Sequence, residues 1–235
     1  MREDAAPHLV DLKDVAVREL NRALHALGAG TNLRHWRVLN PQGLHALAVG
    51  LTVPVTVEIE GNAGYYCAGM NKEATVVVHG SAGVGVGENM MSGFVHVMGD
   101  ASQAAGATAH GGMLVIDGNA SARCGISMKG IDILVKGSVG PMSAFMAQAG
   151  TLTVLGDAGE ALGDSIYEAH LYVRGRVAGL GADCVEEAMD DAHKAELAQK
   201  LAAAGLSGEV DPSEFRRYGS ARTLYHFHVD NAGAY

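Results

Sequence analysis

The sequence predicts an all-β fold, a single-stranded parallel β-helix of about seven 19-residue coils with helical flanks. Three observations predict it. Seven glycines, Gly61, Gly80, Gly99, Gly118, Gly137, Gly156 and Gly175, recur at a constant interval of 19 residues. Two and four residues before each stands a branched aliphatic, from Val57 and Ile59 through Val95 and Val97 to Leu171 and Val173, which is the period-two signature of a strand. The interval is also too short for the alternatives: a strand–helix–strand unit takes roughly 30 residues, and each interior glycine costs a helical repeat about 1 kcal/mol. A fixed period of this length marks stacked repeats, each coil pairing with its neighbours at about 4.8 Å. Right-handed winding is the expectation.

Residues 1–50 read as an N-terminal helix and cap. Val17, Leu20, Leu24 and Leu27 fall at three- and four-residue spacings between Asp14 and Leu27, and Gly28 and Gly30 supply the stop. Residues 51–182 are the coils, from about Thr52 to Gly181. In six of the seven repeats the key glycine is followed by Asn62, Ser81, Asp100, Asn119, Ser138 or Asp157, the residues of a sharp corner. Glycine is expected there for two reasons, its access to positive φ and the close passage of the next coil above it. Ala68, Gly87, Gly106, Gly125, Ala144, Gly163 and Ala182, seven residues further on, mark a narrow part of the cross-section.

Residues 183–235 read as a C-terminal helix, Glu186 to Ala204, ended by Gly205, and a tail running through Phe215, Tyr218, Leu224, Tyr225, Phe227 and Val229. An open solenoid end exposes unpaired strand edges, so both flanks are expected to act as caps.

Seventeen basic against 26 acidic residues leave a net charge of −9, which disfavours nucleic acid or an anionic membrane as partner. No 18-residue apolar run occurs and none follows the opening Met-Arg-Glu-Asp; a soluble, unexported, cytoplasmic protein is expected. Cys67 and Cys124 share one repeat position three coils apart, roughly 14 Å by coil spacing, beyond the ~7 Å between Cα atoms that a disulfide spans. With Cys184 at a different position, all three are expected as small buried thiols.

Evident catalytic chemistry is sparse. Gly83-Val-Gly85-Val-Gly87 has the look of a phosphate loop but precedes no helix, and its glycines stand where the repeat wants small residues. His79 and His96, one coil and two residues apart, read as surface histidines, their separation of roughly 8 Å being wide for one zinc. His226-Phe-His228 reads as packing or interface. Ser92 and Ser165 lack a nucleophile elbow. The sequence therefore predicts no catalytic, cofactor-binding or metal-binding residue in this chain.

The outward positions are more informative. Three residues before each key glycine the series runs Glu58, Val77, His96, Val115, Leu134, Thr153, Tyr172, largely apolar where a solvated face would be polar. Two explanations stand: a surface for a stable partner, or residues lying inward or beneath the caps. The partner reading nominates Tyr65, Tyr66, Asn89, Met90, Met91, Arg123, Lys129, Phe145 and Tyr172 as interface residues.

The Gly-rich coils resemble the GXGXG β-helix domain at the C-terminus of the glutamate synthase large subunit, and the β-helix subunit of formylmethanofuran dehydrogenase. More specific are Gly64-Tyr-Tyr-Cys-Ala-Gly-Met-Asn71, Glu88-Asn-Met-Met-Ser-Gly93, Ser121-Ala-Arg-Cys-Gly-Ile-Ser-Met-Lys-Gly130, Met142-Ser-Ala-Phe-Met-Ala-Gln-Ala-Gly150 and Gly163-Asp-Ser-Ile-Tyr-Glu-Ala169. These phrases resemble the free-standing glutamate synthase-like β-helix subunits of N-methylglutamate synthase, and the likeness spans nearly the whole chain. It implies a scaffold subunit without catalytic residues of its own. The expected partners are a glutaminase-like amidotransferase subunit and an FMN-dependent synthase subunit that carries the FMN and an iron–sulfur cluster. Together they would convert methylamine and L-glutamate to N-methyl-L-glutamate and ammonia. The alternative is the β-helix subunit of another glutamate synthase-like complex or of a formylmethanofuran dehydrogenase complex, for which tungsten or molybdenum in the purified assembly would speak. A self-contained enzyme using a groove on the solenoid would need clustered carboxylates or histidines on one outward face, and the sequence shows no such cluster.

Overall fold

The structure, a computed structural model, describes residues 6–223; the His226-Phe-His228 motif and the end of the tail lie outside them. The chain runs β1 (His8–Asp11), α1 (Val17–His25), β2 (His35–Leu39), then β3 (Thr56–Ile59), β4 (Thr75–Val78), β5 (Phe94–Val97), β6 (Met113–Ile116), β7 (Lys129–Val135), β8 (Ala149–Val154) and β9 (His170–Val173). It ends in β10 (Cys184–Glu187), α2 (Asp191–Ala203), a short 3-10 turn at Pro212–Glu214 and β11 (Arg216–Ser220). The eleven strands form one sheet in the order β1-β2-β3-β4-β5-β6-β7-β8-β9-β11-β10, parallel through β9. From β3 to β9 residues pair with those 19 positions on, Thr56 with Thr75 and Thr151 with His170, except at the start of β7, where Lys129 pairs with Ala149 beside a register shift. These are the seven predicted coils. Among the described residues no helix is long and apolar enough to cross a membrane.

The stack starts earlier than the glycine ladder does. β2 pairs with β3 at an offset of 21 residues, His35 with Thr56, and β1 pairs with β2 at 28, His8 with Trp36. Residues 1–50 thus contribute parallel strands as well as a cap. The longer first coil breaks the 19-residue period, and α1 lies in the loop between β1 and β2. Its Leu20 and Leu24 are buried against Leu47 and the interior of the first coil, while Asn21 donates to the Ala46 carbonyl at 2.7 Å. In this position α1 closes one end of the prism.

Inside, the aliphatics four and two residues before each glycine form two unbroken ladders. Val57, Val76, Val95, Leu114, Ile133, Leu152 and Leu171 make one, and Ile59, Val78, Val97, Ile116, Val135, Val154 and Val173 the other, all fully buried. The corners explain the glycine interval. Gly99 N–H donates to Gly80 O at 2.9 Å, and the same bond repeats up the stack to Gly175 on Gly156. Beside it the corner side chains accept from the next coil: Ser81 N–H donates to Asn62 Oδ1 at 2.8 Å and Asp100 N–H to Ser81 Oγ at 3.1 Å, continuing to Arg176 N–H on Asp157 Oδ1. A Cβ on Gly99 would stand 2.6 Å from Ser81 Oγ and 2.9 Å from the Gly80 backbone. Close approach, not positive φ, is the reason: of the seven only Gly61 has a left-handed φ.

Left-handed backbone appears instead in the return segments, at every second residue. Tyr66, Ala68 and Met70 have φ of 60°, 54° and 55°, with Gly85, Gly87 and Asn89 in the same places one coil on. A left-handed non-glycine residue costs roughly 1–2 kcal/mol and persists only where its surroundings over-determine it. Here the turns from Tyr66–Met70 to Met142–Met146 are each stacked between two like themselves. Gly83-Val-Gly85-Val-Gly87 is therefore coil geometry: Gly85 and Gly87 take positive φ, and a Cβ on Gly83 would lie 2.6 Å from the Gly64 carbonyl carbon.

At the far end the predicted helix starts later than Glu186. Cys184–Glu187 is strand because β11 pairs with it antiparallel, and β11 in turn pairs antiparallel with β9. The terminal strand carries Glu186 and Glu187, a charged edge that discourages pairing with another sheet. α2 follows, with Asp190 as N-cap accepting from His193 N–H at 2.9 Å.

Candidate functional site

Strand side chains that do not enter the core form the outer face of the sheet, and the two halves of that face differ. Over β6–β9, Met113, Val115, Leu134 and Tyr172 lie beneath α2 and the segment after it, packed with Leu197, Leu201, Leu206 and Phe215 in a second hydrophobic cluster. Much of the apolar outward series is thus covered within the chain. Tyr172, nominated as an interface residue, is fully buried there. Its hydroxyl donates to Glu196 of α2, which also meets His170 Nδ1 at 2.8 Å. Burial, reinforced by that hydrogen bond to a carboxylate, pushes the Tyr172 hydroxyl well above its usual range. Burial also opposes the Glu196 charge, but the hydrogen bonds from Tyr172 and His170 outweigh it and hold the carboxyl below its usual value. Lys200 on Asp132 at 2.9 Å ties α2 to β7.

Over β2–β5 Phe94 still packs against that second cluster, but the rest of the same face is not covered by the described residues and is largely ionic. His35 Nε2 lies 3.0 Å from Glu58 Oε1, His79 Nε2 lies 3.5 Å from Glu58 Oε2 and 4.0 Å from Glu60 Oε1, and Arg37 Nε donates to Glu60 Oε1 at 2.5 Å. His96 faces Asp117 at 3.0 Å, and Lys136 holds the same carboxylate at 2.7 Å. His79 and His96 therefore serve different carboxylates. The Glu58–Glu60–His79 group is a cluster that sequence reasoning missed, although Glu60 and His79 occupy consecutive places in one column of the repeat.

The remaining nominated residues lie in the return segments, spread over several columns. Tyr65 is 53% exposed and stacks on His45 with ring centroids 4.2 Å apart. Tyr66 and Asn89 come together: the Asn89 amide donates to the Tyr66 hydroxyl at 3.4 Å, and Thr108 donates to Asn89 Oδ1 at 2.6 Å. Met91, Arg123 and Lys129 are exposed, and Phe145 is half-buried. Met90 is a correction. It is fully buried, in an interior column with Asn71, Ala109, Met128, Ala147 and Ile166, because the left-handed residue before it turns its side chain inward while Met91 points out. Exposed Met70 and Val84 extend the apolar character of this side. All three cysteines are buried and unpaired, as predicted, and burial pushes each thiol up to about 12, far from a reactive thiolate.

No family model matches the chain. It is 60% identical over 227 residues to Protein GlxC of Rhizobium meliloti (strain 1021), covering 97% of this chain and 99% of that protein. The chain belongs to the GlxC family. The fold of this family member is shared with a chain of the formyltransferase/hydrolase complex FhcABCD of Methylorubrum extorquens, solved in complex with methylofuran: the TM-score is 0.59 at 23% identity, over 93% of each chain. At that identity the likeness concerns the fold, and it supports a β-solenoid for GlxC proteins.

Proposed function

We propose that this chain is the scaffold subunit of a glutamate synthase-like complex, namely N-methylglutamate synthase. It would hold a glutaminase-like subunit and an FMN- and iron–sulfur-bearing synthase subunit in a fixed relation, so that an amine released at one is used at the other. One observation carries the reading. All five phrases that resemble the β-helix subunits of N-methylglutamate synthase fall in the same stretch of the repeat, three to thirteen residues after a key glycine, covering the return segments and, at Lys129-Gly130 and Ala149-Gly150, the first residues of β7 and β8. The left-handed turns explain the small residues in those phrases but not Tyr65, Met70 and Met91, which are exposed. Large apolar side chains kept outward where the backbone makes no demand for them suit a permanent partner.

The shared fold with a chain of FhcABCD favours a second reading, a β-helix subunit in an assembly handling one-carbon formyl chemistry. Purifying the chain with its bound partners separates the two. A glutaminase-like and a flavoprotein chain, with methylamine-dependent formation of N-methylglutamate, supports the first; a molybdenum- or tungsten-containing assembly without that activity contradicts it and supports the second.

A further inference from the structure

We propose that Glu58, Glu60 and His79, with His35 beside them, form a binding site for one divalent transition-metal ion of zinc-like preference. The ligand atoms are already gathered: one oxygen from each glutamate and an imidazole nitrogen of His79 all lie within 4.8 Å of one another. A tetrahedral zinc with ligands at about 2.0–2.2 Å requires a modest contraction from that spacing, within the reach of side-chain torsions. Glu58 is flanked on one oxygen by His35 and on the other by His79, so a second imidazole is at hand to complete four ligands. Imidazole with carboxylate is the donor set that zinc and its neighbours favour over calcium or magnesium.

Charge gives a second, independent reason. Elsewhere on this face Asp117 has Lys136 and Asp132 has Lys200. Among the described residues Glu58 is paired with histidines alone, and the pair Glu58 and Glu60 is met by one guanidinium, that of Arg37. The backbone beneath is held on both sides, β3 pairing with β2 and β4 in unbroken register, so the ligands are carried on a fixed frame. Arg37 occupies a Glu60 oxygen that the ion would use. The two cations compete, and Arg37, half-exposed, is free to swing into solvent.

Calorimetric titration of the chelator-treated full chain with zinc chloride tests this. The expected result is one ion per chain, weakened at least about tenfold in Glu58→Gln and in His79→Gln, since loss of an outer-shell partner alone costs 10–100-fold, and tightened in Arg37→Gln. These residues lie on the outer face, and unchanged thermal melts of the metal-free variants would show that they fold. Absence of saturable stoichiometric binding, or binding that survives both ligand variants, overturns the site. So does binding lost only in His226→Gln with His228→Gln.

Discussion

At the corners, a single added carbon has nowhere to go. Gly99→Val would press a β-branched side chain against Ser81 Oγ and the Gly80 backbone, both under 3 Å from its Cβ, and also displace the Gly99–Gly80 hydrogen bond. Thermal melts should show a loss of more than about 2 kcal/mol, in the range of overpacked or strained sites, whereas Gly30→Ala, with nothing within 4 Å of its Cβ, should stay within about 0.5 kcal/mol of the parent. Equal melts would contradict the close-approach account. Met90 and Met91 make a second pair: Met90→Glu buries a charge in the core and should abolish folding, while Met91→Glu, at a 49% exposed position, should leave the melt unchanged and weaken partner binding. Sequence reasoning placed both outside, because alternation within a return segment follows left-handed turns that the pattern of residues does not announce. The same limit applies to the proposed metal ligands. Glu58 and Glu60 share a face two residues apart at the end of β3, but His79 joins them only through register between coils.

At the scale of elements, α2 is a lid fastened by few groups. Leu197 and Leu201 bury apolar surface worth about 1.5–3 kcal/mol each, and Glu196 satisfies the Tyr172 hydroxyl. Glu196→Ala leaves that hydroxyl buried without its acceptor and should cost about 1–3 kcal/mol. Hydrogen exchange should show α2 opening more readily while the coils keep their protection. The pH dependence has a definite sign. Glu196 has its carboxyl depressed in the folded state from an ordinary value of 4.5, so its contribution is complete above that value and is lost as pH falls through the lower folded one. Exchange in α2 should accelerate in that acid window, and less so in Glu196→Gln. β10 and β11 do a separate job, pairing with β9. Removing residues 183–235 strips both this edge cover and the lid over Val115, Leu134 and Tyr172, and should give insoluble or fibrillar protein; a monodisperse truncation would contradict the capping role. β3–β9 were legible because seven coils keep one period. β2 was not, since its coil is longer and Pro41 precedes the return segment where later coils have glycine, and β10 was hidden because a Glu-rich four-residue strand is specified by its partner β11 rather than by its own composition.

The whole molecule is a prism whose interior is aliphatic, whose ends are capped by α1 and by β11–β10, and whose outer sheet face is half lidded and half ionic. Such a body resists deformation, since each coil is hydrogen-bonded above and below, and rigidity is what a frame for two other subunits requires. The architecture was readable from the glycine interval, but its function was not, because the same interval would serve any assembly built on this fold. The distinction rests on the return-segment phrases and on the exposed side chains they contain. Reconstitution tests this most directly: N-methylglutamate formation from methylamine and glutamate is measured with the chain alone, with the glutaminase-like and flavin subunits alone, and with all three together. The scaffold account predicts no turnover by the isolated chain, a crippled pair, and activity restored by the parent chain but not by Met91→Glu. Turnover by the chain alone, or a pair that works equally well without it, would contradict the account.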